Sequence, residues 1–336
     1  MNKVLASKKE KSKRTVSNIR RDNFMKENIF KPAIIGGICI SALLFCSPLE
    51  ASFPGPDSSS ESDSSESAES AHLTLQNCFF INKKHSVSLR GIEKSYPKLA
   101  LLHVNGNNIM SLREIGKLAD LLELHIVDEK LTSFEGVEGI PGVQILDLSK
   151  NLITSLEGIE GLTKLQELNL SDNRIESLKV TKPMPSVQKL DLSNNPLTSL
   201  VGIEQFSGLQ ELNLSNTNDT PGLFVRIVPV FAELKETILL PSVLKLDLSN
   251  NQLISLEGIE EFNELQELDL SNNQVSLDKL GVITQLANLK KVSITASKAD
   301  QFRIITSFSP QLPNCIFMLD GEAYKDGKII KEITLE

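Results

Sequence analysis

Two histidines and an aspartate recur at a fixed interval in this sequence. His103, His125 and Asp147 are each 22 residues apart. His and Asp are common zinc ligands, so equal spacing on neighbouring strands would bring them together around a metal. A row of polar side chains on a wet strand face gives the same pattern, and we favour that interpretation. The sequence therefore predicts no metal site and no cofactor.

The rest of the chain carries no familiar catalytic motif. It has no phosphate-binding glycine loop, no HExxH, no CxxC and no nucleophile elbow. The spaced glycines Gly136, Gly139 and Gly142 fall at turns of a repeat instead of in a dinucleotide-binding loop. Catalysis needs a convergent cleft, and an array of similar turns does not provide one. We predict that the protein is not an enzyme.

The feature that must position these side chains is an internal repeat. LQELNLSDNRIESL begins at Leu165, VQKLDLSNNPLTSL at Val187 and VLKLDLSNNQLISL at Val243. Counted from the first apolar residue, the units begin at residues 99, 121, 143, 165, 187, 209, 243, 265, 289 and 312. The interval is 22 residues in five successive steps, and one unit is lengthened to 34.

The repeat pattern predicts stacked parallel strands. Within each LxL the period is two, so the leucines at positions 4 and 6 face a shared core. Position 9 turns the chain away from the sheet, and a buried amide there can satisfy free backbone groups. The predicted asparagine ladder is Asn107, Asn151, Asn173, Asn195, Asn251 and Asn273. Glu129, Thr217 and Ser297 interrupt it, and we expect weaker turns at those three points.

The unit resembles the 22-residue class of leucine-rich repeats, found in eukaryotic phosphatase-regulator-type proteins and in bacterial internalins. The resemblance implies an α/β solenoid, a curved horseshoe with a parallel β-sheet on its concave face. It assigns the repeats to 99–311 and a cap and tail to 312–336. Residues 72–98 resemble an N-terminal cap or a degenerate repeat. The function implied is binding of a protein partner, by a chain that we expect to be monomeric.

The N-terminal region has the composition of a targeting segment. Residues 1–51 hold ten Lys and Arg against four Asp and Glu, and residues 32–45 form an uncharged apolar run. This run suits a signal-peptide core, with translation from Met1 or Met25, and we expect secretion or a place in the cell envelope. The alternative is a membrane anchor over residues 32–49. No other part of the chain is expected to touch a membrane.

A Ser-rich acidic stretch separates this region from the repeats. Residues 52–71 contain nine Ser, five Asp or Glu and no Lys or Arg, so we expect a disordered linker. Since the whole chain has a net charge of -8 and residues 1–51 carry +6, the remaining 285 residues carry -14. A body this acidic repels phosphate backbones, which argues against a nucleic-acid partner.

Two rows of polar residues are expected on the concave face. Position 3 alternates in charge from Glu167 through Lys189 to Lys291, so these side chains neutralise one another and are interpreted as structural. Position 5 lacks such compensation and would suit a basic or amide-rich partner, although a plain solvated face explains it equally well. The candidate binding residues of this row are His103, His125, Asp147, Asp191, Asp247 and Asp269.

The lengthened unit supplies a second candidate surface. Its extra segment, residues 221–241, carries Phe224, Arg226 and Phe231. Inserts in solenoids often lie on the binding face, and aromatic and Arg side chains are favoured at interfaces. The alternative is that the segment packs back onto the solenoid as core. The sequence as a whole predicts a non-catalytic, exported or membrane-tethered protein-interaction module. The alternative that the resemblance allows is an intracellular regulatory subunit of a phosphatase-type partner.

Overall fold

The computed structural model describes residues 89–197, 200–217 and 242–330, together with the backbone of three short strands that precede them. The chain divides into two units, Met1–Glu66 and Ser67–Glu336. In the first unit, β1 (Ile34–Ile35) and β2 (Ile38–Cys39) pair as antiparallel strands. No helix within the described part of the chain is long and apolar enough to cross a membrane. The predicted linker 52–71 and insert 221–241 lie outside the described residues.

The second unit is built on one sheet of thirteen strands, counted over the described residues. The strands follow one another in sequence order, and every neighbouring pair from β3 to β13 is parallel. They are β3 (Cys78–Ile81), β4 (Leu101–Asn105), β5 (Glu123–Val127), β6 (Ile145–Asp147), β7 (Glu167–Asn169), β8 (Lys189–Asp191), β9 (Glu211–Asn213), β10 (Lys245–Asp247), β11 (Glu267–Asp269), β12 (Lys291–Ile294) and β13 (Ile316–Leu319). The predicted leucine-rich-repeat solenoid is confirmed.

Short helical segments return the chain from one strand to the next. Among the described residues, three are α-helical: α1 (Ile92–Ser95), α2 (Leu277–Leu280) and α3 (Lys298–Ser307). The others are single 3₁₀ turns at Leu112–Ile115, Val137–Gly139, Ile159–Gly161, Ile203–Gln205, Ile259–Glu261, Gly281–Gln285 and Ser309–Gln311. Glycine is required just before several of these turns. Gly202 has φ +108°, and a Cβ there would lie 2.4 Å from the backbone oxygen of Leu178 in the preceding unit.

The core lies between the strands and these helical turns. The leucines of positions 4 and 6 are buried along the whole stack, as their period of two predicts. Leu168, Leu170 and Leu190, for example, have no solvent exposure. Phe134, from position 14, and Phe206, from position 20, fill the layer behind the strands and are also buried. No repeat encloses such a core alone, so neighbouring units stabilise one another.

The asparagine ladder is regular from Asn151 to Asn273, whereas among the described residues the Asn107 amide donates only to the carbonyl of Asn105 in its own unit. The Asn173 side chain accepts a hydrogen bond from Ile153 N at 3.0 Å. It also donates to the carbonyls of Leu148 at 2.9 Å and Leu170 at 3.0 Å, so one amide joins two successive units. Asn151, Asn195, Asn251 and Asn273 repeat this arrangement in their own units.

Two of the interruptions still form hydrogen bonds to a neighbouring unit, and weaker turns at these points stay a prediction. Glu129 is buried, and its carboxylate accepts from Asn107 N at 2.6 Å and from Ile109 N at 2.8 Å. Thr217 donates its hydroxyl to the Asn251 side chain at 3.0 Å, and its backbone N donates to the same oxygen at 2.8 Å. Both residues therefore continue the inter-repeat bonding. Ser297 leaves the pattern, since its hydroxyl caps helix α3.

Position 8, next to the ladder, has a conformational requirement that the sequence analysis missed. Its residues adopt the left-handed region in successive units, with φ between 54° and 59°. Asn and Asp tolerate this region better than other non-glycine residues, and the sequence signal is their frequency at this position. The residues are Asp128, Lys150, Asp172, Asn194, Asn216, Asn250 and Asn272.

Both ends of the repeat array lie against further elements. At the N-terminal end, Leu89 and Ile92 are buried, and β3 pairs with β4. At the C-terminal end, β13 lies inside the predicted cap. Two antiparallel strands that the sequence analysis did not predict, β14 (Glu322–Lys325) and β15 (Lys328–Ile330), extend the sheet beyond it.

Replacing Asn173 by Ala tests the ladder. The substitution leaves Ile153 N–H without a partner and removes one of the two bonds to each of the carbonyls of Leu148 and Leu170. We therefore expect the free energy of unfolding to fall by about 1–3 kcal/mol. Chemical denaturation measures this. The control is Asn288→Ala, which removes one exposed bond to the carbonyl of Asn263 and should cost no more than about 0.5 kcal/mol. Equal losses in the two variants would show that the ladder is not a main source of stability.

Candidate functional site

The concave face, defined here as the sheet face that carries positions 3 and 5, is polar along the repeats. At position 3 the predicted cross-strand ion pairs form. Lys189 Nζ lies 3.0 Å from Glu167 Oε1, and Lys245 Nζ lies 3.4 Å from Glu211 and 3.7 Å from Glu267. These charges are satisfied within the sheet, which leaves position 5 as the row with unbalanced charge.

Position 5 has a structural role that the sequence analysis did not foresee. In six strands, its side-chain Oδ1 accepts a hydrogen bond from the backbone N of the serine two residues later. Asp147 binds Ser149 N in this way at 2.9 Å, and Asn169 binds Ser171 N at 3.0 Å. Asp191, Asn213, Asp247 and Asp269 do the same. Because Asp and Asn both provide this acceptor, the fold explains the residue type. At most the second atom of each side chain is left for a partner, and for Asp191 and Asn213 those second atoms bond to each other.

The N-terminal end of the row is a compact charged cluster. His103, His125 and Asp147 lie side by side in register on β4, β5 and β6, as their spacing predicts. His125 Nδ1 is 3.8 Å from Asp147 Oδ2, and its Nε2 is 3.8 Å from Glu123 Oε2. The sequence analysis did not select Glu123 as a site residue. Glu123 could have been found from its position two residues before His125, because residues two apart on a strand place their side chains on the same face.

Electrostatics make His125 a cation at neutral pH. Burial opposes the charged form, but the carboxylates of Asp147 and Glu123 outweigh it and raise the pKa of His125 to about 9. The His103 ring centroid is 5.6 Å from that of His125. Burial and the neighbouring positive charge lower the pKa of His103. For Asp147, burial is outweighed by His125 and by bonds from Ser149, so its pKa is lowered.

This arrangement is a poor zinc site. A histidine must be deprotonated to bind a metal, whereas His125 holds its proton between two carboxylates. No group of three or more His, Cys, Asp or Glu side chains in the described ranges has a metal-binding arrangement. What the cluster can do chemically is hold one imidazolium, that of His125, between the carboxylates of Glu123 and Asp147.

The C-terminal end of the row is acidic and largely buried. Asp191 is 0% exposed, and burial raises its pKa to about 6, although Ser193 and Asn213 donate hydrogen bonds to it. Burial also raises the pKa of Asp247 and of Asp269. Direct contact between a partner and the buried carboxyls of Asp191 and Asp247 is therefore restricted, whereas Asp269 is partly exposed, like His103 and His125.

The remaining candidates lie elsewhere. Phe224, Arg226 and Phe231 fall outside the described residues, so their role stays a prediction. A depression of about 480 Å³ lies beside α1 and the 3₁₀ turn at Leu112–Ile115, away from both polar rows. Charged residues of both signs line it, and Arg113 pairs with Glu135 at 3.2 Å. The sequence analysis did not single out this depression.

Comparison with known families agrees with the architecture. Residues 141–181 match the model of leucine-rich repeats in two copies, and residues 264–286 match that of a single leucine-rich repeat. Residues 186–273 match the leucine-rich-repeat domain of the endo-beta-N-acetylglucosaminidase EndoS. The chain is therefore a leucine-rich-repeat protein. No curated protein matches its sequence.

Two solved structures of Listeria monocytogenes proteins are similar to the chain. Internalin InlF matches at 16% identity and a TM-score of 0.44 over 73% of this chain. Internalin C2 matches at 25% identity and a TM-score of 0.36 over 49% of this chain. The chain spans 62% and 66% of the lengths of those two chains.

Replacing Asp147 by Asn tests the charge state of His125. The pKa of His125 is raised from 6.5 to about 9, so the stability that its charge contributes is fully present below pH 6.5. That contribution is lost as the pH rises through 9. Removing one carboxylate should lower the pKa of His125, measured by an NMR titration of its ring. Asp120→Asn, at an exposed loop position, should leave the titration unchanged. A pKa near 6.5 in the unmodified protein would refute the assignment.

Proposed function

We propose that this chain is a non-catalytic protein-interaction module that binds a protein partner through its concave face and the insert 221–241. The observation that carries the proposal is the continuous run of parallel strands β3 to β13, which presents the same polar positions again and again. Stacked repeats of this kind form extended binding surfaces. A partner would meet a row of side chains spread over many strands and no single convergent cleft.

The proposed contacts differ along the row. His103 and His125 are partly exposed, so they offer ring edges and one fixed positive charge. Asp147 contributes one oxygen, since Ser149 N occupies the other. Towards the other end, Asp191 and Asp247 act mainly through their electrostatic field, because both are buried, whereas Asp269 is partly exposed. The two carboxylates beside His125 outnumber its single positive charge, so the row is acidic along its length and favours a basic or amide-rich partner segment.

Insert residues Phe224, Arg226 and Phe231 complete the proposed surface. Aromatic and Arg side chains supply most of the energy in many interfaces, whereas the two rows of the concave face offer mostly polar groups. In this proposal the insert provides affinity and the charged rows provide orientation. Variants Phe224→Ala and Phe231→Ala separate this role from packing. Loss of binding with unchanged stability supports an interface, and loss of stability assigns the segment to the core.

We also propose that the chain is exported or tethered to a membrane by its N-terminal apolar run. The basic residues before residues 32–45, and the acidic linker after them, support this. The linker would hold the repeat body away from the membrane or the cleavage point. An intracellular regulatory subunit of a phosphatase-type partner remains the alternative function.

Partner capture with matched surface variants tests the binding proposal. Gln166, Gln188 and Gln210 are exposed residues that immediately precede strands β7, β8 and β9. Changing all three to Arg adds bulk and positive charge beside the concave face. We expect at least a tenfold loss of affinity for proteins retained by the immobilised full chain, which corresponds to about 1.4 kcal/mol. The control changes Glu157, Val201 and Glu257, exposed residues before the 3₁₀ turns, to Arg. Equal effects of the two triple variants would contradict the proposal.

Determining the N-terminus of the mature protein tests export. Cleavage of a signal peptide at the end of the apolar run predicts a mature chain that begins near Ser52, recovered outside the cytoplasm. A tethered chain would keep residues 32–49 and sediment with membranes. A full-length chain that begins at Met1 and fractionates with cytosolic proteins would contradict both forms of the proposal and favour the intracellular alternative.

A further inference from the structure

One pair of carboxylates breaks the alternation of position 5. Between Asp147 and Asp191 the row has Asn169, and between Asp191 and Asp247 it has Asn213. Asp247 of β10 and Asp269 of β11, in contrast, are direct register partners on adjacent parallel strands. Neighbouring strands are about 4.8 Å apart, and both side chains point to the same face. Within the described strands, this is the one place in the row where two carboxylates are immediate neighbours.

The fold prevents the two carboxylates from turning away from each other. Asp247 accepts from Ser249 N at 2.8 Å, and Asp269 accepts from Ser271 N at 2.8 Å. Each side chain is therefore fixed by the turn that follows its strand. Asp247 is also only 7% exposed, so water screens its charge poorly.

The surrounding charges do not neutralise the pair. Lys245, two residues before Asp247, already lies between Glu211 and Glu267. Lys291 of β12 is the cation that acts on Asp269 and lowers its pKa, but burial outweighs it. On the other side, β9 presents the neutral Asn213. The groups that face the pair from its own and neighbouring strands are Lys245, Glu211, Asn213, Glu267, Lys291, Ser293 and, one strand further, Asp191.

Two like charges held this close in a poorly solvated place favour a protonated form. Burial and the charge of Asp269 together raise the pKa of Asp247 to about 7, and burial raises the pKa of Asp269. Each proton then belongs to the pair more than to either residue.

We propose that Asp247 and Asp269 hold one proton between them and make the contact between β10 and β11 a pH-sensitive joint in the solenoid. When the proton is present, the pair carries a single negative charge, and the two units stack without strong repulsion. As the pH rises through neutrality the proton leaves, the pair becomes doubly charged, and the joint is destabilised. This property belongs to the fold and does not depend on a partner.

The direction of the pH effect follows from the raised pKa of Asp247. Its unfolded value is about 3.9, so the stability gained from protonation is fully present below that pH. It is lost as the pH rises through the folded value of about 7. The joint is thus strongest in acid and weakest above neutral pH. The His125 contribution, by comparison, is lost only at higher pH.

Asp247→Asn is a conservative test, because Asn169 and Asn213 already provide the same serine bond in this row. Equilibrium unfolding of the full chain is measured at pH 5 and pH 8. Relative to this variant, the unfolding constant of the unmodified protein should rise roughly tenfold to a hundredfold between the two pH values. Asp326→Asn, at an exposed turn, should follow the unmodified protein. Parallel pH dependence of the unmodified protein and Asp247→Asn would overturn the proposal.

Asn213→Asp adds the converse test. The substitution places another carboxylate between Asp191 and Asp247. The free energy of unfolding of this variant should therefore fall more steeply with rising pH than that of the unmodified protein. An unchanged slope would count against the proposal. If either variant fails to fold, carbon NMR of the aspartate carboxyls in the unmodified chain gives the answer directly. Two separated titration steps, one of them well above pH 4, support the shared proton, and independent titration of both groups near pH 4 rejects it.

Discussion

The structure depends on satisfying the backbone where each unit turns away from the sheet. Strands of three to five residues leave N–H and C=O groups facing inward at every turn, and water cannot reach them. The amide of Asn173 serves two units at once, since it accepts from Ile153 N and donates to carbonyls of its own unit and the preceding one. The 22-residue repeat length therefore places each ladder asparagine beside the backbone groups of the preceding unit that it bonds. Glu129 shows that the requirement is for an acceptor at this point, because a carboxylate meets it with different atoms.

The polar side chains of the concave face also form hydrogen bonds within the fold. An Asp or Asn at position 5 first fixes the turn that follows its strand, and only its remaining atom can meet a partner. Aspartates at the same repeat position, which look equivalent in the sequence, therefore have different roles in the structure. His125 and Asp147 form a charged cluster with Glu123, whereas Asp191 is held inside by hydrogen bonds from Ser193 and Asn213. The charge of this face is therefore set by neighbours across strands, and it differs from one end of the row to the other.

The repeat made much of the fold predictable. A period of two within LxL and of 22 between units places Leu168 and Leu190 in one core, and both are fully buried. The register of His103, His125 and Asp147 followed from the same counting. The bonds made at the ladder interruptions were not predictable, because a residue type does not show which backbone groups its atoms will reach. The strands β14 and β15 were missed since they lie past the last repeat, where periodicity gives no information.

By itself, the sequence determined the solenoid, its strand register, its buried leucines and the two polar rows, because local period and repeat length decide all of these. Only the tertiary structure decided the chemistry of the rows. Whether a carboxylate is charged depends on its burial and on groups 22 or more residues away, such as Asp269 beside Asp247. Likewise, the proton on His125 is held by carboxylates from its own strand and the next. Spacing brings such groups together, but their distances and solvation exist only once the chain is folded.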